Sequence, residues 1–418
     1  RTSNFNTRQN GYDIAADALG YPESYYTPPS EAIERIEVTR GASSLQYGTQ
    51  FGGLLNFDLR GPNPDKKMDV LLRQSFGSYG LFNTFNSIGG TNKDIGYYGF
   101  INYKQGNGWR PNSEFNSIVG HAQLHHKIND KLSYKIEFTK MNYTAQQPGG
   151  LTDTLFNRDA GQSIRERNWF AVDWNVGAVV LSYRLNSKWR FEMRNFGLIG
   201  SRDALGILGY INRPDPLGKR DLIKDEYLNV GNETRMIHTY NFLGNPNNLL
   251  LGVRYYRGFT KRKQGDGSID SDANFEYDDS DNPEYSNYRF PSQNIAVFTE
   301  NVFQFSERWS VTPGLRMEHI ITESVGSYNV QYFNLAGESL FDTTIADHQS
   351  SSRGFAIGGI GTAYKFKNNE VYANISQNYR AINFNDMRIN NPNLRVDPDL
   401  QDETGFSADL GLRGNLSK

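Results

Sequence analysis

The alternation of apolar and polar residues along most of the chain is the feature that most constrains its fold. One segment carries apolar residues at Leu132, Tyr134, Ile136 and Phe138, with polar residues between them. Side chains two positions apart lie on the same face of a β-strand, so this period predicts strands with one apolar and one polar face. The same period recurs at 249–256, 371–378 and 406–413. The chain from residue 65 onward is therefore predicted to be all-β.

The connections between these segments alternate between short and long. Turn-forming pairs such as Asn129-Asp130, Asn186-Ser187 and Asn368-Asn369 mark the short ones. Long polar connections are predicted at 145–168, 204–231, 262–291, 326–352 and 386–402. In an up-and-down antiparallel sheet this order places the short turns on one rim and the long connections on the other, as in bacterial outer-membrane barrels. We predict about fourteen such strands.

A transmembrane barrel fits these segments better than a soluble sheet does. The predicted strands run past about ten residues, the length that crosses a bilayer when a strand is tilted. Strands of soluble proteins average about five or six residues. A soluble propeller would repeat every ~40–50 residues with a recognisable signature, and this sequence has no such repeat. Aromatic residues lie near predicted strand ends, where an interfacial girdle would place them, at Tyr97-Tyr98, Trp169-Phe170, Trp189 and Trp309.

Composition excludes several other classes of protein. The 418 residues include no cysteine, which removes disulfide scaffolds, thiolate zinc sites and cysteine nucleophiles. The 44 basic and 46 acidic residues give a net charge of −2, so no nucleic-acid partner is expected. The apolar runs are far shorter than the ~18 residues of a membrane helix. The sequence shows no Ser/His/Asp grouping, phosphate loop or supported carboxylate pair, and we expect no enzyme.

One stretch near the amino terminus resembles a known family. It reads IERIEVTRG over residues 33–41, ASSLQYG over 42–48 and FGGLLNF over 51–57. The pattern resembles the end of the plug domain of TonB-dependent outer-membrane receptors, and its structural motif positions are Arg40, Gly41, Gly48, Gly52 and Gly53. The glycines would permit tight backbone turns, and Ile33, Ile36 and Val38 are expected to begin a buried strand. A second, more loosely spaced match lies at 391–404.

The resemblance implies that residues 1–64 are the carboxyl-terminal part of a plug and that residues 65–418 are part of a β-barrel. If the 22 strands of the family apply, the chain supplies about fourteen, and it lacks the first half of the plug and the TonB box. We expect a multi-pass transporter in contact with lipid of a Gram-negative outer membrane. It would import a ferric chelate, energised by a TonB complex that binds through the missing box. Segments 5–14 and 18–29 resemble receptors related to the ferric citrate transporter.

The expected ligand, a chelate that carries carboxylates, directs attention to arginine and amide side chains. Arginine binds a carboxylate through two parallel hydrogen bonds. The candidate ligand-binding residues are Arg8, Gln9 and Asn10 of the apical plug segment, and Arg158, Arg165, Arg167 and Arg202 in or beside the long connections. For any single arginine the alternative is a solvated surface charge. The iron would arrive as a bound chelate, so no resident cofactor or metal is expected.

Two groups that resemble metal sites are set aside. The acidic segment 270–281 has calcium-loop spacing, but Phe275 stands where such a loop needs glycine. His121, His125 and His126 lack a carboxylate that would complete a ligand set. The alternatives for function are a passive porin or adhesin barrel, an outer-membrane enzyme, and TonB-dependent import of another siderophore, cobalamin or an oligosaccharide. The plug motif argues against the porin.

Overall fold

A small four-stranded sheet forms the amino-terminal part of the protein. The computed structural model describes residues 5–19, 21–278, 285–334, 336, 338–382, 397 and 399–414. The small sheet has the spatial order β2-β1-β4-β3 and consists of β1 (Asn6–Gln9), β2 (Tyr12–Asp13), β3 (Ile33–Thr39) and β4 (Leu54–Leu59). Short 3-10 helices, Ser30–Ala32 and Gly41–Ser44, flank β3. Residues 5–64 are called the inner domain below.

A second sheet of fourteen antiparallel strands, called the wall below, follows the inner domain. Each strand pairs with its neighbours in the chain, which confirms the predicted all-β, up-and-down arrangement. The strands are β5 (Asp69–Phe76), β6 (Phe82–Asn92), β7 (Ile95–Gly106), β8 (Phe115–Lys127), β9 (Leu132–Gln146), β10 (Trp169–Arg184), β11 (Trp189–Gly206), β12 (Arg220–Phe242), β13 (Asn245–Gly267), β14 (Ser286–Gln304), β15 (Trp309–Phe333), β16 (Ser339–Phe366), β17 (Asn369–Arg380) and β18 (Glu403–Gly414).

Short and long connections alternate along most of the wall and define its two rims. The short turns that begin at 93, 128, 185, 243, 305 and 367 lie on one side, called the short-turn rim. The longest connections follow β9 (147–168), β11 (207–219), β13 and β17, and the strand ends from which they start lie on the opposite, long-connection rim. The first of these contains α1 (Asp153–Arg158). No helix among the described residues is both long and apolar enough to cross a membrane.

The prediction of a long connection at 326–352 is wrong. There β15 and β16 continue as a paired hairpin, and only residues 334–338 connect them. Similarly, β12 begins at Arg220, in a segment predicted to be a loop. The segments 220–231 and 339–352 mix apolar and polar residues on both faces, and period-two reasoning recognises a strand only when one face is apolar throughout. In 326–333, Tyr328, Val330 and Tyr332 do alternate with polar residues, and the sequence reasoning overlooked that period. Half of the second family-like segment, 391–404, lies outside the described residues, since 391–396 and 398 are not described.

The two faces of the wall differ in burial as the alternation predicts. In β9, Ile136 and Phe138 are exposed, whereas Glu137 and Thr139 between them are buried. In β13, Val253 is likewise exposed, and its neighbour Arg254 is buried. The buried side chains contact the inner domain, so we call their side of the wall the inner face. The exposed apolar side is the outer face.

Aromatic side chains gather on the short-turn rim, as predicted for strand ends. Trp309 is half exposed and its ring centroid lies 5.0 Å from that of Phe305. Trp189 stacks on His238 with centroids 3.9 Å apart. Tyr98, from the pair predicted to lie in the girdle, is instead buried, because its side chain follows the inner face.

The prediction of burial for β3 is wrong at two of its three residues. Ile36 and Val38 are 54% and 56% exposed, and only Ile33 packs against the core. The reason is the strand's position, since β3 is the last strand of the small sheet and pairs on one side only with β4 among the described residues. Alternation in the sequence shows that a strand has an apolar face but not what covers that face.

Two of the four motif glycines adopt a backbone conformation that favours glycine. Gly41 and Gly53 have φ angles of +71° and +76°. A Cβ at Gly53 would lie 2.1 Å from the carbonyl oxygen of Thr39, so no side chain fits there. Gly48 and Gly52 are not among the residues with positive φ. The predicted requirement for tight turns therefore holds at Gly41 and Gly53. Arg40, between β3 and the helical turn, is exposed.

Candidate functional site between the inner domain and the wall

A buried ionic network joins the inner domain to the inner face of the wall. At its centre, Glu233 of β12 accepts from Arg8 of the inner domain, with 3.0 Å between Arg8 Nη1 and Glu233 Oε2. Arg254 of β13 contacts the same carboxylate at 3.4 Å and also pairs with Asp13 of the inner domain. Arg235 pairs with Glu233 as well. Because these side chains are almost fully buried, their charges are stabilised by one another rather than by water.

Arg8 is fully engaged with protein partners. Its guanidinium donates to Asn6 Oδ1 at 2.8 Å, to the carbonyl of Gly11 at 2.9 Å and to the carbonyl of Tyr47 at 2.8 Å. Burial lowers the pKa of Arg8, and Glu233 and Asp13 act in the opposite direction. Arg8 therefore holds the inner domain against the wall, whereas the sequence predicted that it would contact a ligand.

Gln9 and Asn10 also contact the wall. Gln9 Nε2 donates to Thr139 Oγ1 at 3.1 Å, and Asn10 Nδ2 donates to Glu137 Oε1 at 2.6 Å. Thr139 in turn shares a 2.8 Å hydrogen bond with His121 Nδ1. The three residues predicted from the apical segment are thus brought together, at the contact between the two sheets. Their predicted role toward a ligand stays a prediction.

Arg165 and Arg167 hold the long connections against one another. Arg165 Nη1 donates to the carbonyl of Arg213 at 2.9 Å, which ties connection 147–168 to connection 207–219. Arg167 makes a two-pronged contact with Asp215, with Nε–Oδ2 at 2.9 Å and Nη2–Oδ1 at 2.6 Å, and its Nη1 donates to the carbonyl of Ile269 at 2.6 Å. Arg158, from the same predicted group, lies apart and is exposed.

The Arg167–Asp215 pair should make the packing of these connections acid-sensitive. The hydrogen bond from Arg167 holds the pKa of Asp215 below its usual range, and the same bond raises the pKa of Arg167. A carboxylate with a lowered folded-state pKa stabilises the fold above its unfolded pKa, and this stabilisation is lost as the pH falls through the folded value. Asp215→Asn should remove about 1.5–3 kcal/mol at neutral pH.

Hydrogen exchange of the amides in 207–219 at neutral and acidic pH measures this effect. Asp215→Asn should speed exchange at neutral pH and abolish the additional opening that acid causes in the wild type. Glu166→Gln, an exposed neighbour on the adjacent connection, is the control and should change neither. Equal exchange in wild type and Asp215→Asn at neutral pH would show that the pair does not hold the connections.

An aromatic group surrounds Arg202 on the long-connection side of the network. Tyr25 of the inner domain packs edge-on against Trp174 and tilted against Phe170, with centroids 5.8 and 5.6 Å apart. Tyr21 stacks on Tyr227 at 5.9 Å. These rings are inner-face side chains of β10 and β12 together with the segment after β2. Sequence reasoning missed them as site residues, although Tyr21 and Tyr25 lie in a segment that it singled out.

Two arginines share one carboxylate inside this aromatic group, and one N–H donor is left over. Asp225 pairs with Arg202 and accepts from Arg262 Nε at 2.6 Å and from the hydroxyl of Tyr227 at 2.9 Å. Arg202 Nε is buried and has no hydrogen-bond partner among the described residues. The Arg202 guanidinium carbon also lies 5.9 Å from the ring centroid of Tyr25. An anion or an aromatic group entering from this rim would meet Arg202 and Tyr25 together.

Elsewhere the inner domain fills the wall closely. A cavity between them, lined in part by Tyr47, Gln50, Arg254, Arg316 and Tyr379, encloses about 40 Å³. A single water needs about 10–15 Å³ on this measure, so the cavity has room for a few waters and not for a chelate. Within the described part of the chain, no three His, Asp or Glu residues are placed to hold a metal ion.

Comparison with known proteins agrees with this architecture. The sequence profile of the family described as "TonB dependent receptor-like, beta-barrel" matches residues 46–418. The chain belongs to this family of TonB-dependent receptors. The family is one of receptors and not of enzymes. The match begins within the segment predicted to be plug, so the predicted boundary at residue 64 stays a prediction.

Solved structures share the fold at low sequence identity. The unliganded ferric citrate transporter FecA is 18% identical, with a TM-score of 0.78, over 99% of this chain and 59% of its own. The closed form of the ferric-catecholate import receptor Fiu from E. coli K12 is 12% identical, with a TM-score of 0.75, over 99% and 63%. The copper transporter OprC is 15% identical, with a TM-score of 0.74, over 100% and 62%. The receptor chain therefore spans about three fifths of the length of these relatives.

Proposed function

We propose that this receptor is part of an outer-membrane transporter that imports a ferric chelate and is energised by TonB. The inner domain is the carboxyl-terminal part of the plug, and the wall is part of the barrel. The short-turn rim faces the periplasm, and the long-connection rim faces the exterior. The observation that carries the proposal is the ionic network around Glu233, because it holds a separate folded body inside a membrane-type sheet through contacts that can be broken and remade.

A passive channel does not account for this arrangement. The cavity between the inner domain and the wall at the level of Tyr47 and Arg254 is about 40 Å³, so a chelate could pass at this point only after the inner domain moves. Moving it means separating buried arginines from Glu233 and Asp13, which requires an energy source. An inner-membrane motor that pulls on the plug supplies that source in the proposed mechanism, and the plug would close again as the ion pairs re-form.

The proposed ligand is a ferric polycarboxylate chelate, as for ferric citrate. Arg202 and Tyr25 are the contacts that the geometry favours, since Arg202 Nε has a free donor next to an aromatic face. Arg165 and Arg167 would hold the long connections in place over the ligand. Arg8, Gln9 and Asn10 would change their contacts with the wall when the ligand binds. Arg158 is retained as a solvent-facing contact for an incoming anion.

Ligand binding to the full-length receptor tests these assignments. Arg202→Ala should weaken ferric citrate binding by about ten- to a hundred-fold, because losing a charge-assisted hydrogen bond costs ~1.5–3 kcal/mol. Tyr25→Phe, which keeps the ring, should bind nearly as the wild type, and Tyr25→Ala should not. The control Arg308→Ala alters an exposed arginine on the opposite rim and should have no effect.

Growth on defined iron sources tests the function itself. A strain that lacks the full-length gene should fail to grow on one ferric chelate and recover when the gene is restored. Growth that depends on the gene only with cobalamin, copper or an oligosaccharide would reject the iron proposal and retain the transporter. Uptake that continues without TonB would reject energised transport.

A further inference from the structure

A group of unpaired basic residues lies on the wall below the inner domain, next to the short-turn rim. Arg184 at the end of β10 lies opposite Arg190 of β11 in the strand ladder. The backbone N–H of Arg184 also donates to the carbonyl of Lys131 at 2.7 Å, which places Lys131 on its other side. Lys188 lies in the turn between β10 and β11. All four residues are exposed.

These cations lack acidic partners. No ion pair involves Lys131, Arg184, Lys188 or Arg190 among the described residues, whereas Lys127 on the neighbouring turn is paired with Asp130 at 2.7 Å. Like charges directly opposite one another destabilise an antiparallel pair. The row from Lys131 through Arg184 to Arg190 therefore has a cost in stability that an ordinary solvated turn would not have.

The group faces the inside of the wall. Arg190 and Arg194 are four residues apart on β11 and share a face. Arg194 contacts the inner domain, since a Cβ at Gly11 would lie 3.0 Å from Arg194 Cζ. Arg184 shares that face through its pairing with Arg190. A cleft of about 280 Å³ opens there, lined by Arg184, Lys188, Arg190 and Thr239 among others.

Charge compensation changes along this face. At the level of the inner domain Lys135 and Arg194 have carboxylate partners, with Lys135–Glu137 at 2.9 Å and Arg194–Glu192 at 2.5 Å. Toward the rim, Arg184, Arg190 and Lys188 have no ion pair among the described residues, and the nearby Asp130 is paired with Lys127. The Nε and Nη1 atoms of Arg194 are buried and have no hydrogen-bond partner among the described residues, and Nη1 lies 3.9 Å from Glu233 Oε1, so this arginine has N–H groups left to donate. Cations without an ion pair are thus found toward the short-turn mouth.

We infer that this basic row, Arg194, Arg190, Arg184, Lys188 and Lys131, is a transit site for anionic cargo on its way out of the barrel. The inference rests on the proposed function, which supplies an anionic chelate and a direction. A cleft lined by one sign of charge concentrates ions of the opposite sign and raises their rate of passage by ~10–10³-fold. Exposed arginines also bind carboxylates without enclosing them, so the cargo can leave again.

Uptake and external binding of ferric citrate, measured separately on the full-length receptor in cells, test this inference. The double variant Arg184→Gln/Arg190→Gln should bind ferric citrate like the wild type and import it about tenfold more slowly. Arg184→Glu/Arg190→Glu should be slower still. The charge-conserving double variant Arg184→Lys/Arg190→Lys should retain the wild-type rate, and Arg308→Gln, on another turn of the same rim, should also leave it unchanged.

The outcomes separate this inference from the proposed function. Unchanged uptake in the glutamine variant overturns the transit site, as does an equal loss in the lysine variant, which would show a requirement for shape rather than charge. A loss of external binding in the glutamine variant overturns it too, because the defect would precede transit. A wild-type receptor that imports no ferric chelate overturns the proposed function, and the transit site with it.

Discussion

Replacing Glu233 by glutamine should loosen the inner domain from the wall more than any other single change in this protein. The substitution leaves Arg8, Arg235 and Arg254 buried without the carboxylate that they share. Removing one partner of a buried ion pair costs about 3–5 kcal/mol. After this change Asp13 is the carboxylate that remains in contact with Arg8 and Arg254, so three buried guanidinium groups lose the anion at their centre. Native-state hydrogen exchange of the amides of β1 and β4 measures the free energy of opening of the inner domain.

The matched control is Glu226→Gln, on the same strand. Glu226 pairs with Lys261 at 3.1 Å, and both side chains are mostly exposed. Exposed pairs contribute about 0–1 kcal/mol, so exchange in the inner domain should change little. If the amides of the inner domain exchanged at the same rate in Glu233→Gln and Glu226→Gln, the ionic network would not be what holds the inner domain against the wall. Under the proposed function, Glu233→Gln should also lower the force needed to displace the plug.

Replacing Ile136 by arginine should destabilise the wall by about 2–4 kcal/mol if the outer face contacts lipid near the bilayer midplane. Ile136 is on the outer face of β9 and 45% exposed. The adjacent Lys135 is on the inner face and pairs with Glu137. Lys135→Arg keeps that charge in place and should cost far less.

Unfolding of the full-length receptor from lipid vesicles, followed with urea, measures both variants. The residues are neighbours on one strand, so both variants place an arginine at nearly the same depth but on opposite faces. Equal destabilisation would contradict the assignment of the outer face to lipid. Equal tolerance would show that the outer face is in water.

The sequence determined which segments are strands and which way their side chains face. Period two over segments such as 132–139 reflects a local property, since each strand alone alternates its side chains between two faces. Short turns at Asn129-Asp130 and Asn186-Ser187 are also local, because turn residues hydrogen-bond within a few positions. The strand count and the two rims follow from these signals.

Alternation within one segment did not predict strands of mixed polarity, nor did it predict which apolar strands would be exposed. Residues 326–333 and 339–352 pair with each other, yet neither face of the second segment is apolar enough to produce the period. Ile36 and Val38 have the right period but lie on an edge strand that nothing covers among the described residues. In both cases the deciding contact is made by a neighbouring strand, and a single segment carries no record of its neighbour.

The roles of the arginines were decided by tertiary structure alone. Composition gave equal reason to expect Arg8, Arg165 and Arg202 at a ligand. The fold instead places Arg8 against a glutamate 225 positions away, Arg165 against three backbone carbonyls, and Arg202 beside an aromatic group with a donor unused. The acceptors that surround an arginine determine its role, and those acceptors come from strands that are distant in the chain. Sequence pattern determined the sheet, and the register and position of one sheet against the other determined what each charge does.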